Sequence, residues 1–451
     1  MSLAGSPVHS SSSSDDFAAL LDAELESSST DSSPEAEVDE VEGEGDDGSE
    51  EDRVKRQKVE LSEESLQIIE ETCTSRQQTK TCTHPGFFKG LCMKCGQTVE
   101  DDKLGVPLSY IHKDLKLGAV EIDRLRGADL KNLLREEKLI LILDLDHTLL
   151  NSTRLIDVSS EERYLLEQAT AGGDDPNRSL FKLESMHMLT KLRPFVRTFL
   201  SEASRLFEMY IYTMAERSYA LEMAKLLDPG KVYFNSKVIS QSDCTQRHLK
   251  GLDVILGAES TVLIIDDTEM VWQKHKENLI LMERYHFFSS NCRQFSFIEK
   301  SLSELKQDER ESDGALATIL NVLKRVHQMF FDEVKGGDLS SSDVRQVVRN
   351  IRKEVLAGCK IVFSRLFPSN ATPENQQIWK MCEQLGATCC AEVGPTVTHV
   401  VSVEVATEKA RWALENEKFL VHPRWVDGAY YLWRRLPEED FPISKFKNMN
   451  T

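Results

Sequence analysis

Apolar stretches separated by amphipathic segments dominate the middle of the chain. Residues 139–143 form a continuous apolar run, and residues 209–212 and 262–265 form two more. Runs of this length without polar interruptions are typical of strands that are buried on both faces of a parallel sheet. Between them, residues 218–227 have the spacing of a helix. The alternation predicts βαβ units and a doubly wound α/β sheet within residues 125–300.

Four further regions flank this α/β segment. Residues 1–75 contain serine and acidic runs with too few apolar residues for a core, so we predict a disordered acidic tail. Residues 76–124 form a lead-in that contains cysteine and histidine. Residues 301–350 have helical spacing and are predicted to form a helical linker. Residues 351–444 alternate strands and helices on a smaller scale and predict a second α/β domain.

The negative charge of the chain is concentrated at its start. The 451 residues carry a formal net charge of −20 and residues 1–52 alone carry −17, which leaves only −3 for the rest. A near-neutral body argues against direct nucleic-acid binding, which needs clustered Lys and Arg. The sequence also has no apolar stretch long enough for a membrane helix and no secretory signal pattern at its start. We therefore expect the ten cysteines to be thiols or metal ligands rather than disulfides.

Two short motifs interrupt the acidic tail. Phe17, Leu20, Leu21 and Leu25 fall on one helical face, the format of a segment that folds against a partner. A tail that binds nothing is equally compatible with this pattern. A basic cluster that follows the acidic run has the composition of a nuclear import signal: Arg53, Lys55, Arg56 and Lys58.

Polar residues follow each of the three predicted strands. Asp144 and Asp146 come after the first strand, Thr213 follows the second, and Asp266 and Asp267 follow the third. Ligands of open α/β sheets collect at the carboxyl ends of the strands, so these side chains are expected to meet at one edge. One Asp-x-Asp alone could be an ordinary strand end. Five polar positions at three strand ends favour an active site.

This edge requires positive charge. Four carboxylates beside a phosphate repel one another strongly at the separations of a compact site. Mg²⁺ is the ion that we expect, because it is a hard divalent cation that prefers oxygen ligands. Lys250 is the best-placed lysine between the second and third strands and could neutralise both the nucleophile and the phosphoryl oxygens.

The motif around the first two aspartates is specific. Residues 143–150 read Leu-Asp-Leu-Asp-His-Thr-Leu-Leu and resemble the haloacid dehalogenase superfamily, whose phosphotransferases share Asp-x-Asp-x-Thr. Further motifs narrow the resemblance to the FCP/SCP branch of TFIIF-associating RNA polymerase II CTD phosphatases: residues 191–195, 211–213 and 265–272. Residues 262–288 look like the plant CTD phosphatase-like subgroup. The resemblance covers residues 125–300 and implies a haloacid-dehalogenase-type Rossmann-like parallel sheet.

The resemblance also implies a role for each matching residue. Asp144 is the nucleophile that becomes an aspartyl-phosphate, and Asp146 is the general acid and then the general base. Thr213 and Lys250 hold the phosphoryl oxygens, and Asp266 orients Lys250. Two sets complete the implied site: substrate contacts at Thr148 and Arg193, and Mg²⁺ ligands at Asp144, Asp146 and Asp267. Mn²⁺ or Co²⁺ could substitute for Mg²⁺.

A separate cysteine and histidine cluster precedes the α/β segment. Its members are spaced as potential ligands of a tetrahedral Zn²⁺ site: Cys82, His84, Cys92 and Cys95. Gly96 permits the tight turn that is common in zinc knuckles. Thiols in a polar lead-in, with His84 as an incidental surface residue, fit the sequence equally well, so both interpretations stay open.

The C-terminal region resembles a BRCT domain. The resemblance rests on four segments: residues 356–364, 386–387, 398–401 and 422–426. It implies a small parallel sheet packed by helices, with Trp425 in the core. The phosphate-reading members of the family use a Ser or Thr after the first strand and a Lys near a helix start, and the matching positions are Ser364, Thr407 and Lys409. Arg365 stands where these members prefer Gly, so a protein-docking BRCT domain without a phosphate site is equally compatible.

Together these features predict a nuclear protein-serine phosphatase. Its expected substrate is the phosphorylated heptad-repeat C-terminal domain of RNA polymerase II, and the general transcription factor TFIIF is a candidate partner. A BRCT module beside a catalytic domain raises the local concentration of a repeated substrate. Two alternatives are a BRCT adaptor with a vestigial phosphatase domain and a phosphatase for small phosphometabolites. The intact motif argues against the first, and the tail and BRCT domain argue against the second.

Overall fold

The computed structural model describes residues 82–99, 105–171, 173, 175, 177–294, 300–337, 342–368 and 370–443. The predicted tail, its apolar helical face and the basic cluster lie outside these residues. Within the described ranges, every helix is too short or too polar to span a lipid bilayer.

A small antiparallel sheet precedes the main domain. Its strands run in the order β2-β1-β4-β3 and are β1 (Gly86–Phe88), β2 (Leu91–Cys92), β3 (Val106–Pro107) and β4 (Leu115–Leu117). Helix α1 (Ala119–Arg135) follows directly. Leu108, Tyr110 and Leu117 are buried in one apolar cluster with residues of the neighbouring main sheet. The lead-in that the sequence defined by its cysteines is thus a packed module over its described part.

A five-stranded parallel sheet forms the centre of the main domain. Its order is β10-β9-β5-β11-β12, and its strands are β5 (Leu139–Leu143), β9 (Phe207–Tyr212), β10 (Val238–Ile239), β11 (Val262–Asp266) and β12 (Leu279–Leu281). All residues of the central strand β5 are fully buried, as its continuous apolar run predicts. The predicted parallel α/β fold is confirmed.

Alternation along β5 divides the core into two layers. Leu139, Leu141 and Leu143 face one layer, which is covered by helices α3 (Val196–Ala203) and α4 (Arg217–Leu227). Ile140 and Ile142 face the other layer, which α1 and the small sheet cover. Because successive side chains of a strand point to opposite faces, a strand in this position must be apolar throughout.

An antiparallel sheet follows the loop of residues 144–149 that leaves β5. Its strands run in the order β6-β8-β7 and are β6 (Leu150–Arg154), β7 (Leu180–Leu183) and β8 (Met188–Leu192). Helices α2 (Tyr164–Ala171) and α5 (Ser289–Gln294) accompany it. Leu165 and Leu189 share an apolar cluster with Tyr285, Phe287 and Phe288. The segment that leaves β5 is therefore anchored by its own small core.

Two long helices follow the antiparallel sheet, in the region predicted to be a helical linker. They are α6 (Ala315–Gly336) and α7 (Val344–Glu354). Ile319, Leu323 and Val326 are fully buried within the same core layer as β5. These helices therefore pack into the same apolar core as β5. The domain limits drawn from the sequence stay predictions.

The C-terminal domain is a four-stranded parallel sheet with helices. Its order is β14-β13-β15-β16, with β13 (Lys360–Ser364), β14 (Thr388–Cys390), β15 (His399–Ser402) and β16 (Phe419–Val421). Helices α8 (Gln377–Gln384), α9 (Glu408–Glu415) and α10 (Arg424–Leu432) pack on it. Trp425 is fully buried, as expected for a BRCT core. Arg352 of α7 lies over the rings of Tyr430 and Trp433 and joins this domain to the preceding helices.

Candidate active site

Strand register brings the predicted catalytic residues to one edge of the central sheet. Leu143 of β5 pairs with Ile211 of β9 and with Ile265 of β11. The residues that follow these positions, including Asp144 and Asp266, therefore lie at the same level at the carboxyl ends of the strands. The side chains of both aspartates are almost completely buried. This is the edge at which open α/β sheets bind their ligands.

Lys250 connects the ends of β5 and β11. Its Nζ donates to Asp144 Oδ1 and to Asp266 Oδ2, each at 2.6 Å. Burial acts to lower the pKa of Lys250, but Asp144 and Asp266 outweigh this effect and raise it, so the ammonium stays charged. Burial raises the pKa of Asp144, and Lys250 opposes that shift. The lysine therefore favours the ionised carboxylate that a nucleophile requires.

Asp266 is held by three donors. Besides Lys250, its Oδ2 accepts from Trp272 Nε1 at 2.8 Å, and its Oδ1 accepts from the Thr268 N–H at 2.8 Å. A carboxylate with this many donors is fixed in orientation. These donors occupy both carboxylate oxygens of Asp266 and fix it beside Lys250, and its predicted role of orienting Lys250 stays a prediction.

Asp267 completes a carboxylate cluster that suits a metal ion. Asp144, Asp266 and Asp267 each offer an oxygen, and these oxygens lie within 4.8 Å of one another. Asp267 accepts from Thr148 Oγ1 at 3.3 Å and forms an ion pair with Arg284, whose Nε lies 2.7 Å from Asp267 Oδ2. Counting Asp146, four carboxylates face Lys250 and Arg284, which leaves a formal excess of two negative charges. A divalent cation with oxygen ligands would balance that excess.

Asp146 has a different environment. Its Oδ1 accepts a hydrogen bond of 2.5 Å from Tyr219 Oη, and that hydroxyl also contacts Ser152 Oγ at 2.8 Å. Burial raises the pKa of Asp146 to about 6, while the Tyr219 hydrogen bond opposes the rise. A carboxyl group with this pKa exchanges its proton close to neutrality, and about one molecule in ten is protonated at pH 7. It can therefore donate a proton and later accept one.

Comparison of the chain with known proteins identifies its family. NLI interacting factor-like phosphatase is the family that matches residues 139–330, and the twin BRCT domain family matches residues 365–425. The chain is 54% identical to RNA polymerase II C-terminal domain phosphatase-like 4 of Arabidopsis thaliana, over 99% of this chain and 98% of that protein. It belongs to the RNA polymerase II C-terminal domain phosphatase family. The family resemblance drawn from the motifs is thus confirmed.

Two further comparisons describe the extent of the likeness. The chain is 41% identical to the phosphatase-like 3 protein of Arabidopsis thaliana over 74% of its own length, but it spans only 28% of that protein. The solved structure of Fcp1, an essential RNA polymerase II CTD phosphatase, matches with a TM-score of 0.55 at 25% identity. That match covers 71% of this chain and 100% of the Fcp1 chain. The active-site edge described above is therefore that of a protein phosphatase.

Thr213 lies at the same edge of the phosphatase sheet. It follows β9, and its side chain is buried. Its N–H donates to Ile239 O at 3.0 Å, and its Oγ1 accepts from the Ala215 N–H at 3.1 Å. These bonds hold the turn between β9 and α4. Its predicted contact with phosphoryl oxygens stays a prediction.

Arg193 lies in the protein interior, where hydrogen bonds occupy its guanidinium. The side chain is completely buried, and its guanidinium donates to both carboxylate oxygens of Glu309 at distances between 2.6 and 3.1 Å. It also donates to Thr148 O at 3.0 Å and to Glu283 O at 3.1 Å. These partners occupy the guanidinium inside the protein. Arg193 therefore braces the loop of residues 144–149, and its predicted contact with the substrate stays a prediction.

The predicted BRCT phosphate contacts are brought together only in part. Ser364 Oγ donates to Thr407 Oγ1 at 2.7 Å, and both residues are buried. Lys409 Nζ instead donates to Ala391 O at 2.5 Å. Arg365 adopts a left-handed φ of 53° at the position where phosphate-reading domains prefer Gly.

Three residues of the phosphatase site were not predicted. Tyr219 lies in the first turn of α4, and nothing in its local pattern distinguishes it from a core tyrosine. Trp272 and Arg284 lie in segments that carried the family resemblance, but their roles depend on contacts with Asp266 and Asp267. Such contacts exist only after folding.

Replacement of Arg193 by Lys should destabilise the fold without weakening substrate binding. Lysine cannot satisfy Glu309 and two carbonyls in a buried space, so the free energy of unfolding should fall by about 3 kcal/mol or more. Urea unfolding measures this loss, and the half-buried Arg197→Lys on α3 serves as the control with little change. If the Arg193→Lys variant had normal stability and a raised KM for an aryl phosphate, the result would mean that Arg193 contacts the substrate.

Replacement of Tyr219 by Phe should affect substrates according to their leaving group. The variant loses the hydroxyl that orients Asp146, so kcat/KM for a phosphoserine peptide should fall about 10- to 100-fold, the loss expected for one hydrogen bond to a charged group. An aryl phosphate, whose leaving group needs little protonation, should lose much less.

The matched control for this experiment is Tyr233→Phe, in which a partly buried tyrosine outside the site is changed. Equal losses for both substrates in Tyr219→Phe would mean that Tyr219 only supports the fold.

Proposed function

We propose that this chain is a Mg²⁺-dependent protein-serine phosphatase that acts on the phosphorylated C-terminal repeats of RNA polymerase II. The observation that carries the proposal is the placement of Lys250 between Asp144 and Asp266, beside Asp267. Relatives in Arabidopsis thaliana and Caenorhabditis elegans bear the name of RNA polymerase II C-terminal domain phosphatases. Both lines support the same substrate class.

The first chemical step forms the phosphoenzyme. An oxygen of the Asp144 carboxylate bonds to phosphorus, and the bond between phosphorus and the serine oxygen breaks. The electron pair of that bond goes to the serine oxygen, which takes the proton of Asp146. Lys250 stabilises the negative charge that the phosphoryl oxygens carry during transfer.

The second step returns the enzyme to its resting state. Asp146, now ionised, accepts a proton from a water molecule while the water oxygen bonds to phosphorus. The bond between phosphorus and the Asp144 oxygen breaks, and inorganic phosphate leaves. Tyr219 keeps the Asp146 carboxyl in one orientation through both proton transfers.

Mg²⁺ fits the carboxylate cluster. We infer that Asp144 and Asp267 hold it through their carboxylates and Asp146 through its backbone carbonyl. When bound, the ion polarises the phosphoryl group and offsets the negative charge of the cluster. Mn²⁺ or Co²⁺ could occupy the same oxygen ligands.

A solved relative supports the covalent route. A variant of fission yeast Fcp1 has been solved bound to beryllium fluoride, and its structure matches this chain with a TM-score of 0.55 at 25% identity. Beryllium fluoride has the shape and charge of a phosphoryl group. Its binding to the relative is what an aspartyl-phosphate enzyme would show.

An open cleft beside the site favours a peptide over a small metabolite. Its volume is about 700 Å³, and it lies between the start of α4 and the loop that leads to Lys250. Residues from both sides line it: Glu216, Arg217, Ser218, Gln241, Ser242, Cys244, Gln246, Arg247 and His248. Arg247 is exposed there and can meet a phosphorylated, acidic chain.

The BRCT domain and the tail extend this proposal. We propose that Ser364 and Thr407 form a second phosphate contact, for which Lys409 must leave Ala391. The basic cluster from Arg53 to Lys58 supports a nuclear location, and TFIIF stays a candidate partner. The alternative of a BRCT adaptor with an inactive phosphatase domain is weakened by the assembled Asp144, Lys250 and Asp266.

Replacement of Asp144 by Asn should abolish catalysis while the protein stays folded. Phosphate release from a phosphoserine repeat peptide should require Mg²⁺ and fall by about 10³-fold or more in the variant, because the nucleophile is lost. Beryllium fluoride should raise the melting temperature of the wild type in the presence of Mg²⁺ but not that of the variant. If folded wild type released phosphate from neither the peptide nor an aryl phosphate, the result would favour the BRCT adaptor.

Replacement of Arg247 by Ala should weaken peptide binding selectively. KM for the phosphoserine repeat peptide should rise about fivefold, as expected from loss of about 1 kcal/mol in one solvated ionic contact. KM for an aryl phosphate should not change. Arg205→Ala is the matched control, because this exposed arginine precedes β9 at the opposite edge of the sheet. A peptide KM equal to that of the wild type would place the substrate outside the cleft.

A further inference from the structure

The two carboxylate oxygens of Asp267 have different surroundings. Oδ2 lies 2.7 Å from Arg284 Nε in an ion pair and accepts from Thr268 Oγ1 at 3.1 Å. Oδ1 accepts from the neutral Thr148 hydroxyl at 3.3 Å, which is long beside the usual O–H···O distance of about 2.7 Å. A metal ion would have to displace a charged partner from Oδ2 but a weak, neutral one from Oδ1. The structure therefore favours Oδ1 as the oxygen that Asp267 offers to an ion.

Thr268 joins Arg284 in holding the same oxygen. Arg284 Nη2 donates to Thr268 Oγ1 at 2.9 Å, and that hydroxyl donates in turn to Asp267 Oδ2. The guanidinium thus acts on Oδ2 directly through Nε and indirectly through the hydroxyl. Hydrogen bonds with ionised partners are roughly twice as strong as neutral ones. A rotation that turned both carboxylate oxygens toward an ion would break this arrangement.

The backbone on either side of Arg284 is fixed. The carbonyl of Glu283 accepts from Arg193 Nη2 at 3.1 Å. The N–H of Tyr285 donates to His147 O at 2.8 Å, which ties this segment to the loop after β5. Because both neighbouring residues are held, the Cα atom of Arg284 has little freedom. Its guanidinium therefore reaches the carboxylate from a defined position.

Asp144 shows the same division between its oxygens. Lys250 Nζ donates to Asp144 Oδ1 at 2.6 Å. Each of the two carboxylates inferred to hold the ion therefore has one oxygen beside a cation of the protein, Lys250 for Asp144 and Arg284 for Asp267. The site is built to supply one carboxylate oxygen from each aspartate.

Carboxylates that offer a single oxygen suit a small ion better than a large one. Mg²⁺ requires nearly octahedral geometry with oxygens at about 2.0–2.1 Å, and it usually takes one or two carboxylates together with water. Ca²⁺ takes about six to eight oxygens at about 2.3–2.6 Å and can bind both oxygens of one carboxylate. A carboxylate whose second oxygen is held by an arginine therefore withholds a ligand that Ca²⁺ would use and Mg²⁺ does not need.

We propose that Arg284 makes this site selective for Mg²⁺ over Ca²⁺ by keeping Asp267 a one-oxygen ligand. The inference rests on the proposed function, since it takes Asp267 as a ligand of the divalent ion. Arg284 acts through Asp267 and is therefore a positioning residue. Selectivity of this kind comes from the number and rigidity of the ligands, because the two ions carry the same charge.

Calorimetric titration of the full chain with Mg²⁺ and with Ca²⁺ tests the proposal without reference to activity. Arg284→Met removes the guanidinium and keeps an apolar stem. Loss of a positive charge should strengthen the binding of both ions, so the ratio of the two dissociation constants is the quantity that reports on Asp267. The ratio of Kd for Ca²⁺ to Kd for Mg²⁺ should fall about tenfold, as expected when a metal ligand loses its hydrogen-bonding partner. Titration of Asp267→Ala identifies the heat from ions bound outside the site.

The matched control is Arg293→Met, in which an exposed arginine of α5 is changed and the ratio should equal that of the wild type. Thr268→Val removes the hydroxyl that also holds Oδ2 and should lower the ratio in the same direction as Arg284→Met. A wild-type ratio in folded Arg284→Met, or in Thr268→Val if that variant alone folds, would overturn the inference and leave the proposed function intact. Wild type that bound Mg²⁺ no better than Asp267→Ala would overturn both.

Discussion

The buried ion pairs of Lys250 are the constraint on which the active site depends. A lysine ammonium away from water is costly unless carboxylates surround it, and here Asp144 and Asp266 lie 2.6 Å from its Nζ. Each carboxylate in turn needs the lysine, because the two lie close together at a buried sheet edge. Asp144 and Asp266 can share one ammonium because β5 and β11 are neighbouring strands of the sheet. The strand order of the sheet and the charge balance of the site therefore depend on each other.

The same balance separates the roles of the aspartates. Asp144 touches the ammonium, which opposes the rise in pKa that burial causes and so favours the ionised form that a nucleophile requires. Asp146 is two residues further, accepts from the neutral hydroxyl of Tyr219, and has its pKa raised to about 6 by burial. Two identical side chains thus acquire different chemistry from their neighbours. Asp267 has neither partner and pairs with Arg284, which leaves it suited to share in metal binding.

The sequence predicted those parts of the site that short stretches of the chain define by themselves. Continuous apolar runs identified β5, β9 and β11, and polar residues at their ends identified Asp144, Thr213 and the Asp266–Asp267 pair. Tyr219 could not be found in this way, because its pattern on α4 is that of an ordinary helix. Arg193 was assigned to substrate because it lies in a family motif, yet Glu309, 116 residues later, occupies its guanidinium. Helices α6 and α7 were taken for a linker because amphipathic spacing does not reveal which surface a helix covers.

Support for the site comes from both faces of the central sheet. On one face, α6 and α7 pack into the layer of Leu139, Leu141 and Leu143, and Arg352 ties α7 to the BRCT domain. On the other face, the small sheet packs into the layer that contains Trp272. The catalytic edge needs this double support, because Lys250 sits on a connecting segment and not on a strand. A lysine on a loop can keep two hydrogen bonds of 2.6 Å only if its carboxylate partners do not move, and packing on both faces of β5 and β11 holds those partners in place.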